Sequence, residues 1–204
     1  MNHLQRRSAI GGAALVAVAS VAAAGAVAHQ RVTDDATRTI AVDLSSAVSN
    51  DRSSRIRERL SGFEEDPATV STTGSGAFHL EIDEDEQELT YELSYADLEG
   101  TVTQAHIHFG GTAQSGGIST FLCSNLGNGP SGTQACPAAP ATITGTLTAA
   151  DVIGPVPQGI LLGEMAELID AIEAETTYVN VHSTTYPLGE IRSQLGDHGH
   201  SDHD

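Results

Sequence analysis

Lysine is missing altogether from this 204-residue chain, and so is tryptophan. Its 9 basic residues are therefore all arginines, set against 27 aspartates and glutamates. Without a basic face a chain cannot displace counterions from a phosphate backbone, which excludes nucleic acid as a default partner. Anionic membrane surfaces are disfavoured for the same reason. Aromatic residues are scarce, with 4 Tyr and 4 Phe, and with a net charge of −18 this would suit a disordered chain. Disorder is excluded by the apolar residues, which make up 39% of the chain and recur with a period of two, enough to build the core of one domain. The acidity is then a property of the surface. Excess carboxylates with no lysine suit a protein kept soluble in very high salt, where repulsion is screened within a few ångströms, so a halophilic source is expected.

Cysteine is nearly absent too. Cys123 and Cys136 flank the Gly, Asn, Pro and Ser-rich stretch SNLGNGPSGTQA and should pair in an oxidising compartment. C-x12-C is not a zinc spacing and no histidine lies between, so a metal reading of the pair is weak. Inside the loop, Gly127, Gly129 and Gly132 spell G-x-G-x-x-G, but no strand-turn-helix pattern surrounds it and Pro130 follows the second glycine, which excludes a dinucleotide site.

An oxidising compartment is also what the N-terminus implies. Arg6 and Arg7 lead into a small apolar stretch, Ala9 to Ala28, that ends Ala26-Val27-Ala28, the layout of an export signal over residues 1–28. The arginine pair points to the twin-arginine route. Cleavage after Ala28 would make His29 the first residue, and contact with a membrane follows only if the segment stays uncleaved. Residues 29–52 read as a linker whose one alternation, Ile40, Val42 and Leu44, could add an edge strand. The folded domain is expected over 53–195. Residues 196–204, GDHGHSDHD, read as a flexible tail whose His198, His200 and His203 could chelate zinc, copper or nickel weakly.

Within the domain, alternation marks strands around 56–60, 78–82, 89–95, 101–109, 118–122, 142–147, 177–183 and 190–195, with an acidic hairpin turn at 83–88. Met165, Leu168, Ile169 and Ile172 form the apolar stripe of one short helix near 163–175. Eight short strands and one helix predict an all-β fold, an antiparallel, Greek-key-like β-sandwich.

Alternation also sorts the side chains. Ala105, Ile107 and Phe109 share one face of their strand and leave His106 and His108 on the other. Val179 and Val181 leave Tyr178, Asn180 and His182 opposite, and Ile191, Ser193 and Leu195 leave Glu190, Arg192 and Gln194. If these strands are neighbours, the polar residues form one cluster. One reading is a hydrogen-bond network in which Arg192 forks onto Glu190 or a backbone carbonyl. The other is a metal site for copper or zinc, because H-x-H on a strand places two imidazoles about 7 Å apart on one face, within reach of His182 from a neighbouring strand.

Four stretches, LSGFEEDP (60–67), AHIHFG (105–110), GTLTAADV (145–152) and TYVNVHSTTYPLGEIRSQL (177–195), resemble the CHRD domain, the repeat first described in chordin. The resemblance implies a β-sandwich module of secreted proteins with no established enzymatic activity. Its signature positions fall on His106, His108, Asn180, His182, Pro187, Gly189, Glu190, Arg192 and Gln194. The H-x-H strand is also similar to that of copper and zinc superoxide dismutases. The expected function is therefore an exported, non-enzymatic binding or cell-surface module for an extracellular ligand or surface component. The alternative is a metal-binding redox protein using His106, His108 and His182. Because residues 53–195 carry 20 acids and 4 arginines, raising salt from low to molar concentration should raise the melting temperature. Thermal unfolding across that range measures it, and a steady fall would contradict the reading.

Overall fold

The computed structural model describes residues 53–85 and 87–196. The export segment, the 29–52 linker with His29 and the tail histidines lie outside the described residues. All eight expected strands are present: β1 (Ser53–Ser61), β2 (Ser75–Asp83), β3 (Glu88–Ala96), β4 (Val102–Phe109), β5 (Gly117–Ser124), β6 (Ala141–Leu147), β7 (Thr177–Ser183) and β8 (Ile191–Leu195). Helix α1 (Met165–Glu173) carries the whole apolar stripe and is shorter than the expected 163–175 at its end, because its last turn closes at Ala174 and Glu175 takes a left-handed conformation, φ 55°.

The sandwich is made from one sheet, ordered β5-β4-β7-β8-β1-β2-β3-β6 and antiparallel at every pairing. Its middle is its weakest seam: β1 and β8 share a single ladder pair, Ser61 with Arg192. The sheet turns there, so that β1-β2-β3-β6 folds back over β5-β4-β7-β8. Tyr91 on β3 shows the closure directly, donating its hydroxyl to the Leu122 carbonyl on β5 at 2.8 Å. Gly145 on β6 makes room for that tyrosine, since a side chain there would run into its ring.

The core fills the space between the layers. Phe78, Ile82, Leu89, Leu93, Ile107, Val179, Val181, Ile191 and Leu195 are fully enclosed, each stabilising the fold by about 1.5–3 kcal/mol. The apolar stripe of α1 joins the same cluster.

The two layers differ on their outer faces. β2 and β3 alternate between buried and exposed residues, as strands with one solvated face must. β7 and β8 are buried at every position. Their polar side is therefore enclosed, a double burial that alternation alone did not predict.

Cys123 and Cys136 form a disulfide that closes the loop after β5. The loop is tied across the sandwich by Gln134, which donates to the Tyr91 hydroxyl, and by Tyr95, which donates to the Pro137 carbonyl, both at 2.7 Å. Cross-linking residues 13 apart should contribute about 3 kcal/mol by restricting the unfolded chain. Denaturant unfolding with and without reductant should show that loss. Two free thiols in protein collected outside the cell would refute the pairing.

Candidate functional site

Register builds the site. β4 pairs with β7 so that His106 faces Asn180 and His108 faces Tyr178, and β7 pairs with β8 so that Asn180 faces Arg192 and Tyr178 faces Gln194. His182 lies opposite Gln104 on β4. Three strands thereby place their polar side chains in two cross-strand rows.

Loops close over these rows, held by the rows themselves. Arg192 donates to the Gly111 carbonyl at 3.0 Å. Gln194 donates to the carbonyls of Gly110 at 3.1 Å and Glu175 at 2.8 Å. His108 Nδ1 lies 3.0 Å from the Gly116 carbonyl and His182 Nδ1 3.1 Å from the Pro187 carbonyl. A carbonyl can only accept, so both Nδ1 atoms carry the proton and both Nε2 atoms present a lone pair.

The imidazoles of His106, His108 and His182 converge. One nitrogen from each lies within 4.8 Å of the other two, and His106 Nδ1 stands 3.2 Å from His182 Nε2. Phe121 meets the His106 ring edge-on at 4.4 Å. His108 stacks on Tyr178 at 4.7 Å, and the Arg192 guanidinium sits 3.4 Å over the same tyrosine ring, so the phenol lies between imidazole and cation.

Burial governs the electrostatics. His106 is fully enclosed, and burial, with His182 and His108 beside it, pushes its pKa down to about 2. Burial holds His108 at about 4 against the raising effect of its bond to Gly116, and lowers His182 as well. All three rings are neutral near pH 7, the form in which imidazole binds metal.

Two carboxyl groups, Glu65 and Glu190, are buried. Glu190, expected in the cluster, precedes β8 rather than lying in it, and its side chain accepts from Thr72 Oγ1 at 2.7 Å and the Glu99 amide at 2.6 Å. Arg192 thus takes the carbonyl rather than Glu190 as its hydrogen-bond partner. The acid on which Arg192 acts electrostatically is Glu65, from the turn after β1, and periodicity gave no reason to single it out. Its only signal is its place in the LSGFEEDP segment. Glu65 is buried, its Oε1 has no hydrogen-bond partner, and burial pushes its pKa up to about 8 despite Arg192. Gly189, at φ 141°, leaves space for that carboxyl, which a side chain at 189 would strike.

From outside, a cleft of about 410 Å³ reaches this floor, lined by Phe63, Glu65, Asp66, Thr112, Arg192 and Gln194. Phe63 is 73% exposed at its rim. Among the described residues no helix is long and apolar enough to cross a membrane.

Residues 56–195 match the family model described as the CHRD domain. No curated protein and no solved structure matches the chain.

Glu65 has a measurable signature. Its folded pKa lies above its unfolded value of 4.5, so the stability it contributes is fully present below that value and is lost as pH rises through about 8. Over roughly pH 7 to 8, above the ordinary histidine range, unfolding free energy should fall by up to about 1.4 kcal/mol per pH unit from this group. Glu65→Gln should flatten that fall in denaturant titrations at each pH. An unchanged slope would show the carboxyl already ionised.

Proposed function

The chain belongs to the CHRD domain family, and from that premise we propose that it is an exported, non-enzymatic binding module working outside the cell or at its surface. The observation that carries this reading is the cleft above Arg192 and Gln194. It offers a contact surface, an exposed Phe63 beside buried polar groups, while the histidines beneath are enclosed. A reacting substrate needs titratable groups within hydrogen-bond reach; here His108, His182 and Arg192 hold loop carbonyls, the histidines do not line the cleft, and its titratable groups are Arg192 and the carboxyls of Glu64, Glu65 and Asp66. Export is supported by the leader-like residues 1–28 and by a disulfide that uses both cysteines of the chain.

The redox alternative has one observation in its favour, the three converging imidazoles. Catalysis at a metal needs an open position that substrate can reach, whereas the three histidine rings are buried. Metal binding without turnover therefore fits the site better than a dismutase-like activity.

Fractionation of the producing cells tests the proposal. The protein should be recovered from the medium or the cell surface, beginning at His29 and with Cys123 bonded to Cys136. Replacing Arg6 and Arg7 by lysine should hold it inside if the twin-arginine route is used. A cytoplasmic protein that keeps residues 1–28 and free thiols would overturn the reading.

A further inference from the structure

We infer that His106, His108 and His182 form a mononuclear, three-imidazole site for copper in its monovalent state. This goes beyond the binding-module reading and does not depend on where the chain works.

The geometry is close to that of an assembled site. Two nitrogens each bound about 2.0–2.1 Å from one ion, at trigonal to tetrahedral angles, stand about 3.3–3.6 Å apart. His106 Nδ1 and His182 Nε2, at 3.2 Å, are already near that spacing. The third nitrogen lies no more than 4.8 Å from either, so a side-chain adjustment of about 1 Å completes the set.

The supporting hydrogen bonds are those of ligating histidines. Metal-bound imidazole donates its other N–H to a carbonyl or carboxylate, which fixes the tautomer and aims the lone pair. The Gly116 carbonyl does this for His108 and the Pro187 carbonyl for His182. Left as a pure hydrogen-bond network, the cluster gives His108 Nε2, which is buried, no hydrogen bond of good geometry, although the Asn180 side chain lies near enough to act on the ring. It also needs a proton between His106 and His182 merely to keep two lone pairs from facing each other. A metal ion takes the place of that proton, which moves to His106 Nε2, a buried nitrogen without a partner, and the ion engages the free nitrogen of His108.

Charge selects the ion. All three donors are neutral, both cysteines are held in the disulfide, and among the described residues the group contains no carboxylate. The nearest cation, Arg192, is one aromatic ring away from His108. A divalent ion would bury two charges with no anionic ligand to offset them, and zinc ordinarily completes four-coordination with a further ligand or water. Copper(I) carries one charge, accepts three nitrogen donors, and tolerates the dry wall formed by Phe121 and Tyr178.

The test uses the full chain with His3, His29, His198, His200 and His203 replaced by alanine, so that the terminal histidines cannot contribute. Under anaerobic conditions with ascorbate, copper(I) is titrated against a chromophoric copper(I) chelator, and zinc(II) is titrated separately. One copper per chain is expected, with a higher melting temperature and X-ray absorption showing nitrogen ligands only. His108→Asn and His182→Gln, checked for folding by circular dichroism, should each weaken binding about tenfold or more. Should either variant fail to fold, the stoichiometry, melting shift and absorption spectrum of the parent chain decide. Failure of that chain to retain copper, or retention undiminished in folded variants, overturns the site. Zinc binding as tight as copper overturns the choice of ion. None of these outcomes bears on export, which the fractionation experiment decides separately.

Discussion

Both faces of β4, β7 and β8 are covered, and much of the molecule follows from that constraint. The inner face meets the ordinary apolar core. The outer face lies under loops whose carbonyls, removed from water, need donors. His108, His182, Arg192 and Gln194 supply them, to Gly116, Pro187, Gly111, Gly110 and Glu175. The polar rows and the loops therefore require each other: without the rows the loops would carry unpaired carbonyls, and without the loops the rows would be a solvated surface. Burial of the imidazoles, their neutrality and their convergence are all consequences.

The same enclosure explains how the chain handles its negative charge. Most described carboxylates lie at the surface, where water and salt screen them, and only Glu65 and Glu190 are buried. Their situations differ. Glu190 accepts hydrogen bonds from Thr72 and the Glu99 amide, both on Oε1, and its Oε2 has no partner. Glu65 also has an oxygen without a partner, and there desolvation outweighs the nearby guanidinium. Of the four arginines in the domain, Arg55, Arg57 and Arg59 point outward from β1, and Arg192 alone is buried. Its charge is spread over the Tyr178 ring and the Gly111 carbonyl rather than neutralised by a close ion pair.

How far the site could be read in advance depended on where each residue sits. His106, His108, Asn180, His182, Arg192 and Gln194 occupy regular strands, and period-two geometry assigns them a common side once the strands are neighbours. Glu65, Gly116, Pro187 and Gly189 occupy turns, where no periodicity operates and position follows from contacts distant in sequence. Glu190 shows the boundary between the two cases. By parity it belongs with Arg192, yet it sits one residue before the strand begins, and its carboxylate turns to Thr72 and Glu99.

Alternation and composition alone determined the all-β class, the eight strands, the helix stripe, the cysteine pair and the sidedness of the polar residues, because each depends on local backbone geometry or on the chain's inventory. Tertiary structure decided the rest. Strand order put β7 between β4 and β8, the turn at the β1–β8 seam made a sandwich of one sheet, and long-range loop packing chose which polar face would be sealed from water. The difference is physical: a side chain's direction along a strand is set by its immediate neighbours, whereas its burial, and with it its charge state, is set by chain segments that meet only when the whole domain closes.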